Sequence, residues 1–184
     1  LPGPPPLSTL PGPAMLLPAG GLLEKLAIRL VPAAALPERT AELDERLLAT
    51  PSLALERSRA VAGEMAEAAV QSLKNSLTAF SAYTPALADS IRQDEELCDH
   101  YEDILGTYLV KLSTQRMGTA ESEEATALLK SIGDFERISD HAVNVLEAAE
   151  ELRSKGLSFS ADAAAELAVL SGAIREILGL ALHC

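Results

Sequence analysis

Residues 128–152 read LLKSIGDFERISDHAVNVLEAAEEL, and this stretch decides the fold. Leu128, Ile132, Phe135, Ser139, Ala142, Leu146 and Ala149 recur at spacings of three and four, the seam of a helix packed in a bundle. Beside that seam Glu136 and Asp140 stand one turn apart on a shared face, with His141 next in sequence. Like charges that close repel one another, and partial desolvation adds to the cost. Such a pair is expected to hold a proton, to recruit a cationic side chain such as Lys130 or Arg137, or to bind a metal. His141 lies about 100° round the helix from Asp140, which points to a structural hydrogen bond rather than ligation.

Two more long helices precede this one, and each opens with Thr-Pro, a capping hydroxyl followed by a residue whose missing N–H costs nothing at the first helical position. Thr50-Pro51 starts a helix expected to run to about Tyr83, with Ala62, Met65, Ala69, Leu73, Ser76, Phe80 and Tyr83 as its seam. Thr84-Pro85 starts the next, with Leu87, Ile91, Asp94, Cys98, Tyr101, Leu105, Tyr108 and Leu112. Asp94 thus takes a seam position normally held by an apolar side chain, with Asp99 and Asp103 beside it. Tyr101 and Tyr108 read as core residues with wet tips, and Cys98 as a small buried side chain. Gly118 suggests a left-handed stop and Thr119 a cap for the third helix, which closes at Arg153-Ser-Lys155-Gly156. A fourth helix begins near Ser160, with Leu167, Leu170, Ile174, Ile177 and Leu178 on a face that needs a partner.

The reading is all-α: an antiparallel three-helix bundle with an added C-terminal helix and a Pro-rich, largely irregular N-terminal segment. Seven of the 11 prolines fall before Pro18 or at it, which rules out a continuous spanning helix there. A helix is expected at GGLLEKLAIRLVP (20–32), then a connector with a short helical piece at Glu42 to Leu48. The divisions are 1–49, 50–157 and 158–184. With Asp plus Glu at 27 against 15 Lys plus Arg, the net charge of −12 repels phosphate backbones and argues against nucleic-acid binding. Aromatics make up 3% and Trp is absent, so the core must be aliphatic and closely packed. No Gly-rich phosphate loop, GxSxG or HExxH occurs, and none of His100, His141 and His183 completes the Glu-x-x-His of carboxylate-bridged dimetal bundles. That enzyme reading, and a purely structural dimerisation bundle, stand as alternatives.

FERISDHAVNVLE resembles the LERIGDHAxNIxE signature of PhoU domains through Glu136, Arg137, Ile138, Asp140, His141, Ala142 and Asn144. DEELCDHYEDI resembles a second segment of those domains, with Asp94, Leu97 and Ile104 in register. The junction from GGLLEKLAIRLVP to LDERLLATPSLALE is similar to that of bacterial sodium/phosphate cotransporters of the NptA type, where the last membrane helix meets a cytoplasmic PhoU-like region. The resemblance implies a non-enzymatic regulator of phosphate uptake on the cytoplasmic side of the bacterial inner membrane, its partner the transmembrane core of the same protein, while the unpaired apolar face of the fourth helix points to pairing with a second copy. It also implies an iron or zinc cluster held by Asp94, Cys98, Glu136 and Asp140. The sequence departs from the family at Cys98, where Asn or Asp is usual, and at Ser139, which replaces the signature glycine. The resemblance implies that the fourth helix, Ser160 to about Leu182, is the first helix of a second repeat.

Overall fold

The computed structural model describes residues 43–182, and the Pro-rich segment and the helix expected at 20–32 lie outside the described residues. A 3-10 helix at Glu45–Ala49 leads into α1 (Pro51–Ala82), α2 (Pro85–Ser113), α3 (Thr119–Ser154) and α4 (Ala161–Ala181). All described elements are helical, as expected, and no described helix is long and apolar enough to cross a membrane. The short piece forms as a 3-10 turn shifted toward the C-terminus from its expected place, because Asp44 caps it by accepting the Arg46 N–H at 2.9 Å.

With 32, 29 and 36 residues, α1, α2 and α3 are rods of about 48, 44 and 54 Å. Short connections make α2 antiparallel to both others. Pairings across α1 and α3 fix the register: Arg59 pairs with Glu124 near both N-terminal ends, and the Tyr83 hydroxyl donates to Glu150 at 3.0 Å near the other end. Glu150 also accepts from Arg92 of α2 at 2.7 Å, so one carboxylate ties three elements together. Arg153 lies over the Tyr83 ring, 5.1 Å from its centre.

The expected seams face inward. Met65, Cys98, Tyr101, Leu105, Tyr108, Leu112 and Ile132 form one apolar cluster, and Ala79, Ala88, Ile91, Ala142, Leu146 and Ala149 form another. Ser72, Asp94 and Ser139 sit along their helices between the members of the two clusters, a polar level at mid-bundle. The tyrosine tips reach the polar edge as expected, Tyr101 donating to Glu64 and Tyr108 to the Asp44 carbonyl, both at 3.1 Å.

The helix ends differ in an informative way. Thr84, extended at ψ 150°, accepts the Leu87 N–H at 3.1 Å, whereas Thr50, at ψ 86° where its N–H closes the preceding 3-10 turn on Leu47, makes no side-chain capping bond. Gly118 is not a left-handed stop: at φ −71° it is itself the residue before α3, and Glu121 accepts its N–H at 2.9 Å. Thr119 is the first helical residue rather than the cap. The left-handed glycine is Gly156, at φ 63°, where Leu157 and Gly156 return hydrogen bonds to the carbonyls of Leu152 and Arg153 and close α3.

The fourth helix forms between Ser160, which accepts the Ala163 N–H, and Leu182, and it turns back along the end of α1. Phe159 meets Phe80 edge-on at 5.7 Å, and Arg175 donates to the Lys74 carbonyl at 3.0 Å and to Thr78 Oγ1 at 2.8 Å. Its expected single apolar face is split, since Leu178 is buried and Leu167 and Ile174 half-buried while Leu170 and Ile177 are exposed.

Because only one of the two Thr-Pro threonines caps, Thr84→Ala is expected to cost about 1 kcal/mol, a drop of roughly 2–4 °C in Tm. Thr50→Ala should leave Tm within about 1 °C by the same conversion. Thermal melts followed by circular dichroism check the difference, and equal losses would contradict it.

Candidate functional site

Two acidic ridges meet where α2 lies against α3. On α3, Glu136 is half-buried and Asp140 exposed, one turn apart as the spacing predicts. The α2 side of the meeting is formed by Glu95, Asp99 and Glu102, at i, i+4 and i+7. Glu136 is held above the ordinary carboxylate value first by burial, then by Asp140, Glu102 and Asp99. Glu95 is raised by burial and then by Asp140, Asp99 and Glu96. The expected convergence of acids from two helices therefore exists, with a membership partly different from the expected one.

Asp94 is the main difference. Its carboxyl is raised by burial, and Asp94 is not among the acids that raise Glu136, although both act on the Cys98 thiol. Asp94 lies 100° round α2 from Glu95, which turns it toward the seam and away from the ridge. Asp103 leaves the ridge as well and lines a groove with Leu43, Glu45, Tyr108 and Lys111. Glu95 and Glu102 were legible only as a one-turn ladder with Asp99, and that ladder was the signal to follow.

Cys98 is fully buried, and its thiol donates toward the Met65 carbonyl at 3.8 Å. Burial pushes the thiol up to about 11, with Asp94, Glu95 and Glu136 adding to the shift and the Ser139 hydroxyl opposing it. It stays protonated at neutral pH, a structural cysteine rather than a nucleophile. Ser139 is 1% exposed, and its hydroxyl, although it approaches the thiol, has no hydrogen-bond partner of normal geometry.

These placements bear on metal binding. Asp94, Cys98, Glu136 and Asp140 are divided between a buried seam and an exposed ridge, and among the described residues no group of three or more His, Cys, Asp or Glu side chains is arranged to hold a metal ion. As placed, the four do not fit an iron or zinc cluster, which needs converging deprotonated donors. Nor is the ridge neutralised by an ion pair, for no ion pair among the described residues includes Glu136 or Asp140. Lys130 and Arg137 instead line the same shallow groove of about 410 Å³ as Glu102, Asp134 and Glu136. His141 is exposed and makes no hydrogen bond among the described residues, contrary to the structural bond expected for it. Asp99 and Asp140 are exposed and Glu95, Glu102 and Glu136 half-buried, so the ridge presents negative charge at the surface of the bundle.

The folded-state pKa values of Asp94, Glu95 and Glu136 all lie above their unfolded values. The folded chain then keeps protons that the unfolded chain has already lost, so stability falls as pH rises through the raised values. Asp44, lowered by Arg46, has the opposite sign, but Arg46 is exposed and solvent screens the pair, so it contributes little. Tm is therefore expected to increase on acidification from neutrality toward the ordinary carboxylate range. Asp94→Asn should raise Tm at pH 7 and flatten that profile; a lowered Tm would show the carboxylate to be a stabilising partner.

No curated protein and no solved structure matches the chain. Among family comparisons, residues 62–149, from the fourth turn of α1 to near the end of α3, match the model of the PhoU domain, and this stretch includes the parts of α2 and α3 that carry the acidic ridge.

Proposed function

We propose that this chain is a regulatory domain in phosphate homeostasis that acts by protein contact and catalyses nothing itself. The observation that carries the reading is the coincidence of the PhoU match with α2 and α3, the two helices that build the acidic ridge. A non-catalytic role is supported by the protonated, buried Cys98 and by the character of the family as regulatory. The finer reading, a cytoplasmic domain tuning a sodium/phosphate cotransporter, is supported by the resemblance of residues 20–56 to the transporter junction. In that setting the ridge Glu95, Asp99, Glu102, Glu136 and Asp140 is the face offered to a basic surface of the transporter or of a signalling partner. Rim charges of this kind govern encounter and register more than raw affinity.

The reading is tested in cells that depend on this protein for regulated phosphate uptake. Glu136→Lys combined with Asp140→Lys should change the initial rate of sodium-driven phosphate uptake by about fivefold, the effect of ~1 kcal/mol at a contact. Protein level and helix content should be unaltered, because Asp140 is exposed and Glu136 only half-buried. Unchanged uptake and unchanged phosphate-responsive expression would leave the ridge without a regulatory role.

A further inference from the structure

The two Thr-Pro starts of the bundle show one motif in two arrangements. At the start of α2, Thr84 stands at ψ 150°, with the Leu87 N–H donating to its hydroxyl and the Ala88 N–H to its carbonyl. At the start of α1, Thr50 stands at ψ 86°, and the Leu53 and Ala54 N–H groups both donate to its carbonyl, at 3.0 and 3.1 Å. Its hydroxyl makes no capping bond, although the residue types and their spacing are the same. What differs is the chain in front. The Thr50 N–H is held by the Leu47 carbonyl at 2.8 Å, which closes the 3-10 turn, and no such turn precedes Thr84.

The turn that holds Thr50 is itself lightly held. From Leu43 to Thr50 no residue is buried, whereas Ala54 and Leu55, one turn into α1, are 0% and 1% exposed. Leu43, Leu47 and Leu48 rest half-buried on the apolar cluster below. The Tyr108 hydroxyl ties the turn to α2 by donating to the Asp44 carbonyl, and Lys111 pairs with Glu45 at 2.5 Å, an exposed pair that solvent screens. A groove of about 490 Å³, walled by Leu43, Ile104 and Tyr108, runs between the turn and α2. A segment with so few buried groups opens at a lower free energy than the core on which it lies.

We propose that residues 43–50 form a releasable strap and that Thr50 is its switch. With the strap docked, the Thr50 backbone is tied back to Leu47 and its hydroxyl caps nothing. With the strap released, Thr50 turns to the extended arrangement that Thr84 already holds, and its hydroxyl accepts the Leu53 N–H. The cap gained offsets part of what the strap loses, which narrows the gap between the two states. Helix α1 keeps a satisfied start in both, so the bundle stays folded when the strap opens. Tyr108 and Lys111 belong to the helix that carries Glu95, Asp99 and Glu102, so strap and ridge are fixed to one rod. Because the chain enters the bundle through Leu43, a load from that side meets the strap before it reaches the core. The switch stands whatever partner the ridge meets.

Amide hydrogen exchange of the whole chain, read residue by residue by NMR, tests the switch. Leu47 and Thr50 should exchange through a local opening, faster than the core amides of Leu105 and Ala142. Thr50→Ala removes the cap of the released state alone, so protection at Leu47 should rise about fivefold, the equivalent of a typical cap. Thr50→Ser, which keeps a capping hydroxyl, should return protection to the wild-type level. Tyr108→Phe keeps the ring and removes the tie to Asp44, so protection at Leu47 should fall about fivefold while Leu105 and Ala142 are unchanged. Leu47 and Thr50 exchanging only together with the core, Thr50→Ala leaving protection at Leu47 unchanged or lowered, or Thr50→Ser behaving like Thr50→Ala would each overturn the proposal.

Discussion

The close approach of three long helices across a seam of small side chains is the constraint on which everything else depends. At mid-bundle α1 offers Ala66, Ala69, Ser72 and Ser76, α2 offers Cys98, and α3 offers Ser139 and Ala142, all buried. With no Trp and few aromatics, the core obtains its density from short side chains that let backbones come near, and dispersion and apolar burial grow with that closeness. Closeness also has a consequence for charge. Residues one position beyond a seam cannot retreat fully into water, and acids placed there on two neighbouring helices must face one another. The acidic ridge is the outer margin of the tight packing rather than a separate feature added to it.

The core is divided at its middle by Ser72, Asp94 and Ser139. Ser72 finds the Ile91 carbonyl at 3.4 Å, but Ser139 finds nothing of normal geometry and Asp94 is raised by its burial. A polar level of this kind costs stability while restricting which registers the helices can adopt, because any slip would put carboxyl or hydroxyl against an apolar cluster. The two ends of the bundle are secured differently, by Arg59 with Glu124 at one and by Glu150 with Tyr83 and Arg92 at the other. Seam packing, the polar level and the end pairings therefore agree on one alignment.

Much of this was legible in the sequence. The seams of all three long helices, the Thr84-Pro85 start, the Gly156 stop and the pair Glu136 and Asp140 follow from spacings of three and four with known capping chemistry. What escaped had local causes. Thr50 and Thr84 share a motif, yet the turn before Thr50 withdraws it from capping, and no pattern in the dipeptide carries that information. Asp94 attracted notice as an acid in an apolar seam, which led attention from the ladder Glu95, Asp99 and Glu102 one position over. Which neighbours a helix face meets depends on its rotation, and periodicity leaves rotation uncertain by about one residue. For α4 the apolar positions were visible, but their division between a covered and an open side depended on how Arg175 and Phe159 dock the helix on α1.

The central claim is that acids from α2 and α3 face each other across the ridge and that no ion pair among the described residues includes Glu136 or Asp140. Carboxyl titration of Glu136 by NMR tests it most directly. The account predicts an ionisation above the ordinary carboxylate value that moves back toward that value in Asp140→Asn. An ionisation at or below the ordinary value, as coordination of a metal or a stable ion pair would produce, would contradict it.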